Sequence, residues 1–392
     1  MLQFVDIIRD PIHGYIQITA LEEHLINTPF FQRLRLIKQT PGASWVYPGA
    51  NHTRFEHSLG VMHLAGKLAT KILHEDPYWG EELSLSQQQK MIQKTRLAGM
   101  FHDIGHGPFS HVFEEFLSDL NAEINHEDIG EVIIDKKVGP LLTAFDGWDD
   151  SDVEQIKNWL RGREYGLGSI ITESINVDTL DYLVRDAHHT GTIEYGWVDM
   201  NRIVDNTEIV RLSDEEMEDL SANGVVVLRS SDRKAFENII LAINERAIIA
   251  VESFFISRLE MYKAVYYHRT VRAIECGLVK GMKEIADDIP GLCLFKEAQN
   301  VNNIFGTNAS NLDSFLHLND YVVLAEMLKR NCAELEKILN RKQRRMALEK
   351  LEDVTSNEFA EYARRLSRRQ SLEEEIRRKL VEGGIESDVI LD

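Results

Sequence analysis

Gly99-Met100-Phe101-His102-Asp103-Ile104-Gly105-His106-Gly107-Pro108-Phe109-Ser110-His111 is the stretch on which the reading of this chain turns. A His-Asp dipeptide alone says little, since among 14 histidines roughly one such pair arises by chance. Its setting says more. The pair ends a run with helical apolar spacing, Gly105, Gly107 and Pro108 then break the helix, and His106 and His111 follow closely. Backbone that must turn sharply around an ion at a helix end wants this mixture of glycines and ligands.

Two neighbouring ligands on a regular helix point about 100° apart, so a shared ion lies against the helix flank and other helices must close its shell. His57, in Arg54-Phe-Glu-His57-Ser-Leu-Gly, stands near the start of its own helix and can face the site. Asp178, in Asn176-Val-Asp178-Thr-Leu-Asp181-Tyr182-Leu-Val-Arg185-Asp186, can supply a second carboxylate. Positions 178, 182 and 185 share a helix face, which sets an acid, a phenol and a guanidinium side by side.

Working outward, most of the chain carries helical period. Thr28-Pro29 reads as an N-cap and first-turn proline opening a helix to about Lys38. Further helices are expected over Arg54–Leu73, Ser86–His102, Phe109–Leu120, His126–Ile134, Val153–Leu160 and Ser169–His188. Between about Glu208 and Arg229 the segments EIVRL and VVVLR, separated by a polar stretch with Asn223-Gly224, read as a small hairpin. Helical pattern returns from Asp232 to about Ile285. The last hundred residues are helical and charged, as in RKQRRMALEKLEDV and YARRLSRRQSLEEEIRRKL. Acids interleave throughout those basic runs, so they read as a solvated face before they read as a nucleic-acid contact.

The 392 residues carry 44 Lys and Arg against 64 Asp and Glu, a formal charge of −20. That balance disfavours wholesale binding to polyanions, though a metal and a few arginines can invert the local field for a small anionic substrate. No window reaches the roughly 18 apolar residues of a membrane span. The opening MLQFVDIIRD carries acids where a signal peptide carries basic residues, so the expected location is the cytoplasm. Cys276, Cys293 and Cys332 are widely spaced and form no CxxC pair. They suit neither a disulfide framework nor a thiolate metal site, and any metal must use His and carboxylate ligands.

The segments DPIHGYI, TPFFQRLRLIKQT, YPGANHTRFEHSLGVMHLAG, AGMFHDIGHGPFSHVFE, NVDTLDYLVRDAHHTG and FFISRLEMYKAVYYHR resemble, in order, the HD-domain superfamily. Within it they are similar to the branch of the SAM- and HD-domain-containing deoxynucleoside triphosphate triphosphohydrolase and its prokaryotic relatives, without the SAM domain of vertebrate members. The resemblance implies a mostly α fold: an HD helical core over residues 1–285 with a small β insertion near 207–229, and a charged helical region over 286–392. It implies four metal ligands, His57, His102, Asp103 and Asp178, for a divalent ion that is manganese, iron, zinc, cobalt or magnesium. It further implies His111 as general acid, with His106 and His126 as histidines facing the phosphates and able to support a second ion, magnesium, with the substrate.

Resemblance also implies a substrate site. Arg54 and Arg258 match phosphate contacts, Gln39, Tyr182 and Asp186 contacts to the sugar, and Tyr266 an aromatic that packs on the base. Arg258, Tyr262 and Tyr266 recur every four residues, so one helix face can present all three. Departures matter here. Thr179 stands where vertebrate members have a phosphate-binding lysine, Thr40 where they have a leucine beside the sugar 2′ position, and Tyr262 where they have a histidine. Asp6 and Asn27 replace a lysine and an aspartate of the vertebrate effector site, whereas Gln32 and Arg35 are kept.

The expected activity is hydrolysis of deoxynucleoside triphosphates to deoxynucleoside and triphosphate by a homo-oligomer, dimer or tetramer. An HD hydrolase of another nucleotide or phosphate ester is the second reading. A nucleic-acid-binding or regulatory protein with a vestigial site is the third.

Overall fold

The structure, a computed structural model, describes residues 2–75, 83–164, 166–213, 215–216, 239–296, 300–306 and 309–342. As expected, the fold is mostly α. The charged runs beyond residue 342 and the expected strand at 225–229 lie outside the described residues.

The chain opens on an antiparallel hairpin of β1 (Phe4–Asp10) and β2 (Gly14–Thr19), with Ile8 opposite Ile16 and Asp10 opposite Gly14. Gly14 takes φ +75° at the turn, where a residue without Cβ pays no steric penalty. Thr19 then caps the helix Ala20–Ile26 in a capping box with Glu22. Glu22 also accepts from Arg96 Nε at 2.5 Å and Nη2 at 2.8 Å, fastening the hairpin end to the helix Leu85–Phe101.

Pro29 begins a helix as expected, but Pro29–Gln32 gives way to a 3-10 turn over Arg33–Leu36, short of Lys38. The tighter turn leaves Phe31, Leu34 and Ile37 all buried. The Thr28 hydroxyl donates back to the Leu25 carbonyl at 2.6 Å and caps nothing.

Three helices carry the centre of the molecule: Arg54–Glu75, Leu85–Phe101 and Val177–Thr190. The first packs on both of the others. Gly60 makes one of these approaches possible, because a Cβ there would lie 2.0 Å from Asp181 Oδ1 and 2.4 Å from Arg185 Nη2. The single helix expected over 169–188 is two, Ser169–Thr172 and Val177–Thr190. Asn176 divides them, its side chain accepting the Thr179 N–H at 2.7 Å as an N-cap.

Strand β3 (Thr207–Arg211) pairs antiparallel with β4 (Ile239–Ile243), Thr207 opposite Ile243. The helix expected from Asp232 therefore starts only at Ile248. A short apolar run such as IILAI cannot be assigned to strand or helix by periodicity alone. The helix Ile248–Met261 continues into a π-helical turn, Tyr262–Tyr266, before Arg269–Ile285. Short helices follow, of which Asp320–Lys329 and Ala333–Leu339 pack on Arg269–Ile285. One buried apolar cluster runs from Ile16 to Ile338. No described helix is long and apolar enough to cross a membrane.

Candidate metal centre and active site

The start of Arg54–Glu75, the end of Leu85–Phe101 and the start of Val177–Thr190 bring four side chains to one point. His57 Nε2 lies 2.9 Å from Asp178 Oδ1, 3.1 Å from His102 Nε2 and 3.6 Å from Asp103 Oδ2. His102 Nε2 lies 3.4 Å from Asp103 Oδ2 and 3.5 Å from Asp178 Oδ1. Donor atoms about 2.1 Å from one ion stand about 3.0 Å apart at right angles and about 3.4 Å apart at tetrahedral angles. The spacings match. Two imidazole Nε2 atoms facing each other at 3.1 Å also form a poor pair by themselves, and a cation between them suits both.

The other ring nitrogens are spoken for. His57 Nδ1 pairs with Asp181 Oδ2 at 2.8 Å, and His102 Nδ1 with the Gly99 carbonyl at 2.8 Å. Such partners orient metal-binding imidazoles and leave Nε2 to the ion. Asp181 is itself fixed by His13 Nε2 at 2.6 Å and Arg185 Nε at 2.7 Å, and Arg185 reaches on to Asp10 at 2.8 Å. Arg185 is therefore turned into the core and does not join Asp178 and Tyr182 on the site, because the Asp181 carboxylate one turn back captures its guanidinium.

Electrostatics fit the same picture. Burial works against charge on His102, but the carboxylates of Asp103 and Asp178 hold its pKa well above the ordinary imidazole value. Burial also opposes ionisation of Asp103, which the Arg54 guanidinium and the His102 imidazole keep well below the usual carboxylate range. Arg54 Nη1 donates to Asp103 Oδ2 at 2.6 Å and Arg54 Nε to Ser110 Oγ at 2.9 Å.

A cavity of about 310 Å³ opens over this point, its wall including Gln39, Arg54, His102, Asp103, Asp178 and Tyr182 together with His106, His111 and His126. The last three form a second convergence with Glu114. Glu114 Oε2 pairs with His111 Nδ1 at 2.9 Å, and Oε1 pairs with His126 Nδ1. Burial would raise the Glu114 pKa, yet the hydrogen bonds from both imidazoles hold the carboxyl far below its ordinary range. His111 is largely exposed to the cavity mouth (66% of its side chain), with Nε2 free to meet a ligand. His106 is buried and stacks on His126 at 3.9 Å. Burial and then the nearby Arg54 charge push its pKa well below the ordinary imidazole value, so it is neutral.

Gly105 and Gly107 serve packing more than turning, since neither has positive φ. A Cβ on Gly105 would stand 1.9 Å from the His126 carbonyl, and one on Gly107 2.2 Å from the Phe113 ring. The left-handed positions are instead Phe109 and Ser110, at φ +62° and +55°, each costing of order 1–3 kcal/mol in a residue with a side chain.

The HD domain family matches residues 54–186, which contain all four converging side chains. The chain is an HD-domain protein. It is 33% identical over 331 residues to an uncharacterized protein of Methanocaldococcus jannaschii, covering 83% of this chain and 58% of the relative. It is 30% identical over 279 residues to the deoxynucleoside triphosphate triphosphohydrolase SAMHD1 homolog of Dictyostelium discoideum, covering 69% and 47%. To human deoxynucleoside triphosphate triphosphohydrolase SAMHD1 it is 36% identical over 214 residues, covering 47% and 33%. The chain thus spans a third to under three fifths of these relatives' own length.

Against the HD centre, the expected sugar and base contacts divide. Gln39 and Tyr182 stand on the cavity wall. Thr40 is buried beside Gln39 with Oγ1 lacking a hydrogen-bond partner, and is not part of that wall. Asp186 lies behind, its oxygens engaged by His52 Nε2 at 2.7 Å and by the Tyr266 hydroxyl at 2.6 Å. Tyr266 packs edge-on against both Tyr182 and Tyr262, and the Arg258 guanidinium lies 5.8 Å from the Tyr262 ring centroid. Burial, with the adjacent Asp186 carboxylate, raises the Tyr266 pKa well above the phenol value, so it stays a neutral donor to Asp186.

Asp181, Glu114, His13 and His52 are the participants that reading the sequence alone does not single out. Asp181 was visible as an acid three residues after Asp178, and Glu114 as an acid three residues after His111.

Proposed function

We propose that this HD-domain protein is a metal-dependent phosphohydrolase that cleaves deoxynucleoside triphosphates to deoxynucleoside and triphosphate. The observation that carries the reading is that His102, Asp103 and Asp178 share one cavity wall with Arg54 and His111, with His57 directly behind the first three and Glu114 paired with His111. Similarity to relatives named as deoxynucleoside triphosphate triphosphohydrolases supports the choice of substrate.

A divalent ion held by those four residues would supply positive charge and would make an attacking water more acidic. The remaining work falls to side chains. Arg54, anchored by Asp103 and Ser110, presents its guanidinium to the phosphate nearest the centre. Water oxygen forms the new bond to the α-phosphorus as the bond from phosphorus to the sugar 5′ oxygen breaks. His111, acting as the imidazolium, gives the Nε2 proton to that 5′ oxygen, while Glu114 accepts from Nδ1–H and orients the ring. His106, whose pKa burial and the Arg54 charge push well below the ordinary imidazole value, borders the phosphates together with His126. Gln39 and Tyr182 close the cavity on the sugar side.

A homo-oligomer belongs to the same proposal. The helix Ile248–Met261 leaves Ile248, Ile249, Phe255, Ile256 and Leu259 exposed, a larger apolar stripe than a lone surface helix ordinarily shows. Sedimentation equilibrium of the pure protein tests it.

The direct test of the activity is incubation of metal-loaded protein with a panel of nucleoside mono-, di- and triphosphates, deoxy and ribo, with products separated by anion-exchange chromatography. Release of tripolyphosphate from deoxynucleoside triphosphates is expected. Release of orthophosphate or pyrophosphate in its place overturns the assignment of the cleaved bond.

A further inference from the structure

The turn between His106 and His111 is held in a conformation that neither of its central residues prefers. Phe109 has φ +62°, and Ser110 combines φ +55° with ψ −124°, a region where L residues are rare. Such geometry persists only where the surroundings over-determine it. For Ser110 the restraints come from within the HD domain and its leader. The hydroxyl donates to the Lys38 carbonyl at 2.7 Å and accepts from Arg54 Nε at 2.9 Å.

For Phe109 the restraint comes from far along the chain. Its N–H donates to Asp320 Oδ1 at 2.7 Å, and the Lys38 N–H donates to Asp320 Oδ2 at 3.0 Å. Asp320 is 2% exposed and opens the helix Asp320–Lys329. Alongside, Arg33 donates from both terminal nitrogens to the His106 carbonyl, at 2.9 and 2.7 Å, and lies 4.9 Å from the Phe315 ring centroid. Both strained residues thus have a partner outside the turn, and the partner of Phe109 belongs to the region after residue 286.

We propose that Asp320 is a positioning residue: one carboxylate oxygen holds the Phe109–Ser110 turn while the other anchors it to the Lys38 amide, and so the carboxylate fixes where His111 stands over the metal centre. It touches no substrate and acts only through His111. The proposal rests on the reading above that His111 works on the substrate. A carboxylate is the group the geometry asks for, since it offers an acceptor to each N–H. An amide would turn an NH₂ toward one of them, and a methyl group would leave both buried N–H groups without a partner. A tie that served stability alone would be indifferent to His111.

The test compares the full chain with Asp320→Ala, Asp320→Asn and His111→Ala, and with each Asp320 variant combined with His111→Ala. Measured are metal content, backbone amide exchange, and kcat and KM on dGTP and on bis(4-nitrophenyl) phosphate. Exchange should quicken at the peptides holding Phe109 and Lys38, with metal content unchanged. A displacement of about 1 Å at a working group costs about 100-fold, so a fall in kcat of about 10- to 100-fold is expected in Asp320→Ala, less in Asp320→Asn, with KM within about threefold. On the His111→Ala background the same change should cost under about twofold, because residues acting through one another are not additive. Additive losses overturn the proposal, as does a loss carried by KM or by metal content, or exchange unchanged at both amides. If Asp320→Ala does not fold, Asp320→Asn carries the same comparison. If the wild type cleaves neither substrate, the nucleotide reading fails by itself, and amide exchange still decides whether Asp320 holds the two segments.

Discussion

His57 and Asp181 meet at 2.8 Å on the side of the imidazole that faces away from the metal centre. The carboxylate belongs to the helix that also supplies Asp178, so one helix contributes both a side chain at the candidate centre and the group that orients His57 from its neighbour.

Removing such an outer partner commonly lowers metal affinity about 10- to 100-fold. Asp181→Asn is expected to fall in that range while the protein stays folded, because Asn keeps the size of the side chain. Competition against a chelator of known affinity measures it. Affinity equal to that of the wild type would make Asp181 a core ion pair with no bearing on the centre.

The raised pKa of His102 gives the metal-free centre a pH dependence of definite sign. A histidine whose folded pKa exceeds its unfolded value adds stability that is complete below about pH 6.5 and is lost as pH rises through the folded pKa. Protons also compete with a metal for the same Nε2. The melting temperature of chelated protein should therefore decline from pH 6.5 to 9, and the gain on adding metal should widen. A gain independent of pH over that range would show that His102 is not a ligand.

His111→Ala should keep its metal and its substrate affinity and lose about 10² to 10⁴ in kcat, the usual range for a general acid. Glu114→Gln should lose less, since the imidazole remains and only its orientation relaxes. Single-turnover rates with bound metal quantified in the same samples distinguish the two. Near-normal turnover in His111→Ala removes it from the reaction.

Thr40 bears on the choice of sugar. Its hydroxyl is buried and lacks a hydrogen-bond partner next to Gln39, where a small polar side chain leaves room for a ribose 2′-hydroxyl. Shape alone rejects an added hydroxyl only about 10²-fold. Thr40→Leu is expected to raise the ratio of kcat/KM for dGTP over GTP, with deoxynucleotide preferred in both proteins. An unchanged ratio would place Thr40 outside the sugar's reach, in keeping with its position off the cavity wall.

The proximity of His57, His102, Asp103 and Asp178 was legible because each sits at a helix terminus whose signals are local. Arg54–Glu75 begins three residues before His57, Leu85–Phe101 ends just before His102, and Asn176 caps the helix that begins next to Asp178. Asp181 and Glu114 were not, because an acid one turn from a motif residue looks like any solvated helix acid until the neighbouring helix is placed. β1 gave no alternation to read, being exposed along most of its length on both faces, and in β2 Ile16 and Ile18 alternate with Tyr15 and Gln17 over too short a run to decide. Asp320 carried no signal at all. Its partners are backbone N–H groups, which every sequence possesses.

The ligands that meet at the centre are distant in the chain, His57 lying 45 residues from His102 and 121 from Asp178. Bringing such points together exacts loop-closure entropy before any contact rewards it. An ion bound by all four would find its whole set of donors only once three helices have docked. It would then tie distant parts of the chain much as a cross-link does, so its release and the loosening of the native state would be coupled.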